Sequence, residues 1–221
     1  MSKIVHPYAH RLVVLRDWRS RWFQVSKKYK DFLKTDIFIR EFLQKKLRGF
    51  YIGGVEIERR GKSMKLIIRT SRPGMLIGKS GEGIEKLKKD VAEEMKRKKI
   101  AMPEDFKIEV VESIVPDADA NIIAYSIVEG LEKRLPFRRV LKQVIEKVMS
   151  SRIVSGIRIK LSGRLGGAEI SRSEELKKGS IPLQTFRADV DFARERAHLP
   201  YGDLGIKVWI YKGEVFSKDK K

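Results

Sequence analysis

The segment Pro73-Gly74-Met75-Leu76-Ile77-Gly78-Lys79-Ser80-Gly81-Glu82-Gly83-Ile84 gathers the densest set of phosphate-handling residue types in the chain. Gly78-Lys79-Ser80 looks like the end of a Walker A loop, but that loop needs four residues between its glycines. Only Met75, Leu76 and Ile77 separate Gly74 from Gly78, and Pro73 stands where the earlier glycine belongs, so ATP and GTP are not expected ligands. What remains is Ile-Gly-x-x-Gly-x-x-Ile. Two glycines three apart permit a tight turn and let a sugar-phosphate backbone come close. A helix starting at Gly81 aims free N–H groups at phosphate, and Lys79 adds positive charge at the same place.

The other reactive residue types give weaker patterns. The sequence has no cysteine, which removes disulfides, thiolate metal sites and thiol nucleophiles together. His6 and His10 have helical spacing, but Pro7 lies between them and no HExxH glutamate accompanies them, so a metal pair is not expected. Asp189 and Asp191 alternate on a strand-like run and share a face, as a nuclease metal pair does; a charged face paired with Arg187 or Arg194 is the simpler reading. Gly163-Arg164-Leu165-Gly166-Gly167 joins two strands rather than a strand and a helix, which argues against a dinucleotide fingerprint. It reads instead as a tight turn presenting Arg164 to phosphate, with Arg172 nearby, or as a purely structural hairpin. No G-x-S-x-G motif occurs. The expectation is a protein that is not an enzyme and needs no metal or other cofactor.

Charge points to a polyanion. The 221 residues carry 49 Lys and Arg against 29 Asp and Glu, a net +20 with a pI near 10.1, and a pI above about 9 is the footprint of nucleic-acid binding. The excess is uneven: residues 1–50 hold 13 basic and 4 acidic side chains, residues 134–187 hold 13 and 4, and residues 51–115 hold 15 and 11. No apolar run approaches the ~18 residues that span a bilayer, and the start has no apolar signal-peptide core. A cytoplasmic chain with no membrane partner and no small-molecule substrate is expected.

These residues must be positioned by elements that periodicity reveals. Residues 1–35 hold Tyr8, Trp18, Trp22 and Phe23 among many cations with little regular pattern, and read as a basic arm. Thr35 or Asp36 is the expected cap of a helix through Ile37, Phe38, Phe42, Leu43 and Leu47. Strands are expected at 55–58 and 64–69, a helix at 81–98 and a strand at 106–111. The turn-forming stretch 116–120 marks a domain boundary. Helices then follow at 120–134 and from Pro136, as first helical residue, to about 151, with strands at 156–162, 167–172, 188–192 and 205–211. The predicted organisation is an arm (1–35), an RNA-binding domain (36–115), a two-layer α/β domain with two helices on a four-stranded mixed or antiparallel sheet (116–216) and a short basic tail (217–221). The fold class is α+β.

The order helix, strand, strand, glycine turn, helix, strand around Gly78-Lys79-Ser80-Gly81 is that of a type II, prokaryotic KH domain, whose GXXG loop clamps about four nucleotides. Over essentially its whole length the sequence resembles the ribosomal protein S-three family of the small subunit in its bacterial form. The resemblance rests on Lys3-Ile4-Val5-His6-Pro7 with Arg11-Leu12, on the GXXG segment and on Phe137-Arg138-Arg139. It rests above all on Ser162-Gly163-Arg164-Leu165-Gly166-Gly167-Ala168-Glu169-Ile170 and Lys207-Val208-Trp209-Ile210-Tyr211-Lys212-Gly213-Glu214. The stretch His6-Pro7-Tyr8-Ala9-His10-Arg11 departs from it, since relatives commonly have a glycine before the arginine region. The resemblance implies a ribosome-bound protein of the subunit head that binds small-subunit rRNA, with Lys3, His6, Arg11, Arg164 and Arg172 as contacts. It implies ribosomal proteins S-ten and S-fourteen as neighbours, and a role at the mRNA entry channel, opening message helices without ATP. That role falls on Arg138, Arg139 and Lys142, above a buried stripe of Leu141, Val144, Ile145 and Val148. A free-standing KH-type mRNA regulator is the alternative.

Overall fold

The computed structural model describes residues 6–25, 27–61, 63–100 and 103–216. In chain order the elements are α1 (Pro7–His10), β1 (Ser20–Arg21), α2 (Lys27–Lys46), β2 (Ile52–Arg60), β3 (Ser63–Thr70), α3 (Pro73–Ile77), α4 (Glu82–Arg97), β4 (Asp105–Glu112), α5 (Ala120–Glu132), α6 (Phe137–Met149), β5 (Gly156–Gly163), β6 (Arg172–Gly179), β7 (Ala188–Leu199) and β8 (Gly202–Glu214). They form two units: Trp18–Ile114, and Met1–Asp17 together with Val115–Lys221.

In Trp18–Ile114 the sheet order is β1-β2-β3-β4. The β2–β3 pair is antiparallel, as a short turn at Gly61 allows, and β3–β4 is parallel, as a crossover through α3 and α4 requires. Leu87, Val91 and Met95 recur at four-residue spacing on α4, Ile39 and Leu43 do so on α2 with Leu47 just past its end, and both rows bury against Ile57, Met64, Leu66, Ile68 and Phe106 of the sheet. Each such side chain contributes about 1.5–3 kcal/mol through burial. The order is the one expected from the sequence, with β1 and the single turn of α3 added.

The start of α2 differs from expectation. Thr35 and Asp36 are not caps; the helix begins at Lys27 and both lie buried within it. Thr35 turns its hydroxyl back to the Asp31 carbonyl, at 2.7 Å. Asp36 accepts from Ser20 Oγ at 2.9 Å, Trp22 Nε1 at 2.7 Å and Arg59 Nη2 at 2.5 Å. Tertiary partners have taken a cap-forming side chain into the helix interior, and the expected boundary at 35/36 falls inside α2.

In the second unit the four strands are antiparallel throughout, in the order β6-β5-β8-β7. Ile123, Ile127 and Leu131 of α5 and Val140, Leu141, Val144, Ile145 and Val148 of α6 cover one face, against Ile157, Ile159 and Leu161 of β5 and Ile206, Val208 and Ile210 of β8. Pro136 sits just before α6 rather than as its first residue. The strand expected at 167–172 is a turn and loop: Gly166 and Gly167 have φ of +69° and +82°, and Ile170 is 81% exposed. The strand lies later, at Arg172–Gly179, a charged edge strand with Leu176 packed on the core. β7 and β8 are also longer than their apolar runs, because they extend as a hairpin to a turn at Pro200 and Tyr201.

Candidate nucleic-acid interface

The glycine loop forms as its residue types require. Gly78 ends α3 at φ +69° and ψ −173°, and Gly81 precedes α4 at φ +87° and ψ 0°. Ser80 takes the left-handed region at φ 51°, unusual for a residue with a Cβ. A Cβ on Gly81 would meet nothing within 4 Å, so its requirement is conformational and the loop's outer side stays open. Lys79 and Ser80 are exposed, and Gly81, lacking a side chain, leaves the first-turn N–H groups of α4 without a side-chain cap. Glu82 and Glu85 in that first turn offset part of the positive end. What the loop offers is backbone N–H geometry and the Lys79 charge rather than a strong net field. Gly83 was missed as a functional position: a Cβ on it would lie 2.3 Å from the Leu76 carbonyl oxygen, so only glycine lets α3 close on α4 and hold the loop. A further glycine two residues after the GXXG pair was the available signal.

On α6 the expected division into faces is present. Val140, Leu141, Val144, Ile145 and Val148 are buried, while Arg138, Arg139 and Lys142 are exposed. Glu146 is the only acidic residue of α6, but the ridge also meets countercharge from another element. Glu174 of β6 accepts from Arg138 Nε at 3.2 Å and Nη2 at 3.0 Å, and Arg172 Nη2 lies 3.6 Å from the same carboxylate. This hydrogen bond holds the Glu174 carboxyl below the usual carboxylate range and raises the Arg138 guanidinium. The side chains of Arg139 and Lys142 have no ion-pair or hydrogen-bond partner among the described residues.

The remaining candidates divide. Arg164 donates to the Ala168 carbonyl at 2.8 Å and the Tyr201 carbonyl at 3.3 Å, tying its turn to the β7–β8 hairpin. Gly163, at φ +137°, leaves no room for a Cβ beside Leu204. The structural reading of this turn is therefore strongly represented, with the outer side of the guanidinium left over. His6 packs edge-on against Phe192, with ring centroids 4.7 Å apart. Arg11 cannot contact RNA. It is 0% exposed and donates to the carbonyl oxygens of Pro7, Pro182, Leu183, Thr185 and Ala188 at 2.5–3.3 Å. It is a latch that ties the chain start to the loop before β7. Lys3 lies outside the described residues.

The carboxylates considered for metal are otherwise engaged. Asp189 pairs with Arg16 at 2.6 Å, not with Arg187 or Arg194, and Asp191 accepts the Ala120 N–H at 3.1 Å, where α5 begins. No cluster of three or more metal-ligating side chains occurs among the described residues, and no described helix is long and apolar enough to cross a membrane.

Comparison with known proteins covers both units. Residues 38–113 match the family model described as KH domain, and residues 127–210 match that of Ribosomal protein S3, C-terminal domain. The small ribosomal subunit protein uS3 of Clostridium botulinum (strain Okra / Type B1) is 45% identical over 220 residues, spanning 100% of this chain and 96% of the relative. The proteins of the same name from Clostridium novyi (strain NT) and Clostridium tetani (strain Massachusetts / E88) are each 43% identical, over 220 and 221 residues, with 96% and 97% of the relative covered. The order of elements around the glycine loop, the α-α-β-β-β-β unit behind it and near-complete coverage of these relatives agree: the chain belongs to the uS3 family of small ribosomal subunit proteins.

Proposed function

We propose that this protein is a structural constituent of the small-subunit head that binds rRNA and touches mRNA at the entry channel, positioning it and opening its helices without ATP. Small-subunit rRNA, mRNA and the neighbouring proteins S-ten and S-fourteen are its partners, and its place is on cytoplasmic ribosomes. The observation that carries the mRNA role is the pair Arg139 and Lys142, exposed and uncompensated on a helix whose other face is locked into the core. A rigid helix presenting free cations holds phosphate without base preference, as a channel wall must. In the same reading the glycine loop contacts rRNA through N–H groups.

The test separates placement from action. Arg139→Ala with Lys142→Ala is expected to leave incorporation into small subunits unchanged while slowing translocation through a message hairpin several-fold. A pure assembly defect with normal hairpin passage refutes the channel role. Retention on subunits through a high-salt wash supports a ribosomal constituent, whereas release identifies a free KH-type regulator.

A further inference from the structure

The sheet of the second unit has one face covered by α5 and α6. Alternation sends Ile159 and Leu161 of β5, Ile206 and Val208 of β8, and Ala193 of β7 into that core. Their neighbours Lys160, Lys207 and Arg194 therefore stand on the opposite face. Register places the three side by side, since Lys160 lies across from Lys207 and Lys207 across from Arg194. Opposed side chains on adjacent strands have Cβ atoms about 4.5–5.5 Å apart, and like charges there are destabilising. None of the three side chains has an ion-pair or hydrogen-bond partner among the described residues. Glu175 of β6, opposite Lys160, is taken by Arg158 at 2.7 Å.

We propose that Lys160, Lys207 and Arg194 form a contact site for the sugar-phosphate backbone of RNA, separate from the glycine loop and from α6. The row runs across three strands and needs a partner with repeated negative charge. One side of it is the row of Ser162 and Gly205, where the absent side chain leaves a low floor. The other is Trp209, only 4% exposed, with the Arg158 guanidinium 4.9 Å from its ring centroid. The aromatic rings beside the cations are thus already engaged: Phe192, half-buried two residues before Arg194, packs its ring against His6 at 4.7 Å and Trp209 at 5.2 Å between centroids. Protein interfaces deplete lysine and anchor on aromatic side chains, whereas phosphate contacts require cations alone and read no sequence. The observations favour RNA backbone over an acidic polypeptide.

The experiment uses the full chain and a labelled single-stranded RNA of mixed sequence. Lys160→Gln, Arg194→Gln and Lys207→Gln combined should make the slope of log affinity against log salt shallower by about 2, at about 0.7 per contact. Affinity at low salt should fall about tenfold or more, while Tm stays the same or rises because the repulsion within the row is relieved. Lys160→Arg with Lys207→Arg should keep the wild-type slope. Lysine acylation read by mass spectrometry should show Lys160 and Lys207 protected by the RNA. An unchanged slope overturns the proposal, and so does a lowered Tm, which makes the row a structural feature. Protection by polyglutamate but not by RNA also overturns it and assigns the row to an acidic protein.

Discussion

Arg11 and Arg138 differ in what a guanidinium can still do once the chain has folded. Arg11 spends its donors on carbonyl oxygens inside the protein, and Arg138 spends two on Glu174, at the surface. An RNA phosphate can displace Glu174 but cannot reach Arg11. Glu174→Gln is therefore expected to release Arg138 and tighten binding of single-stranded RNA by a few-fold, the scale of one exposed ion pair. Electrophoretic mobility shifts over a salt series measure it. Unchanged affinity would show that Arg138 does not meet RNA even when free. Neither arginine's fate could be read from the sequence, because Glu174 lies 36 residues after Arg138 and the carbonyls around Arg11 lie more than 170 residues away, Pro7 excepted. Gly78-Lys79-Ser80-Gly81 was legible because its partners are local.

At the scale of elements, the helices were legible where apolar spacing alone decides them, as in α4 and α6. They were not where a polar side chain is drawn into a tertiary contact, as Asp36 is in α2, nor where an edge strand such as β6 carries little apolar signal. The start of α5, by contrast, falls at Ala120 as expected, although the carboxylates that hold it come from two places in the chain. Asp119 caps it by accepting the Asn121 N–H at 3.0 Å, and Asp191 accepts the Ala120 N–H beside it. Burial pushes the Asp119 carboxyl above the usual carboxylate range and Asp191 adds to the rise, with the Asn121 N–H and Lys212 pulling it partly back. A raised carboxyl means that the folded protein holds its proton more tightly than the unfolded chain does. Stability is then lost as pH rises from the ordinary carboxylate range through the raised value. Asn caps a helix as well as Asp and carries no charge, so Asp119→Asn should raise Tm at neutral pH, with the gain vanishing in acid where the wild-type residue is protonated. Calorimetry across pH tests this, and a lower Tm at neutral pH for the variant contradicts it.

Over the whole molecule the structure redistributes the +20. Read along the sequence, the excess sat in an N-terminal arm and in residues 134–187, leaving the KH region nearly balanced. Because β1 and α2 join the KH unit, Trp18–Ile114 holds 25 basic and 14 acidic side chains, and the other unit holds 24 and 15. Each unit thus carries enough cation to bind RNA through its own phosphate contacts. Contacts on separate units share no partner residues, and independent sites add within about 0.5 kcal/mol. On an RNA long enough to engage both units, Lys79→Asp with Ser80→Asp and Arg139→Ala with Lys142→Ala should therefore weaken binding by factors that multiply when the two pairs are combined. Removing the α6 pair should also flatten the salt slope by about 1.4, at about 0.7 per contact. The loop substitutions act through repulsion at a backbone-shaped site and should lower affinity more than the change in slope alone accounts for. Fluorescence anisotropy on the two double variants and their combination measures both quantities. A combined loss no larger than the greater single one would mean that the two surfaces are not independent contacts, each losing its effect once the other is broken.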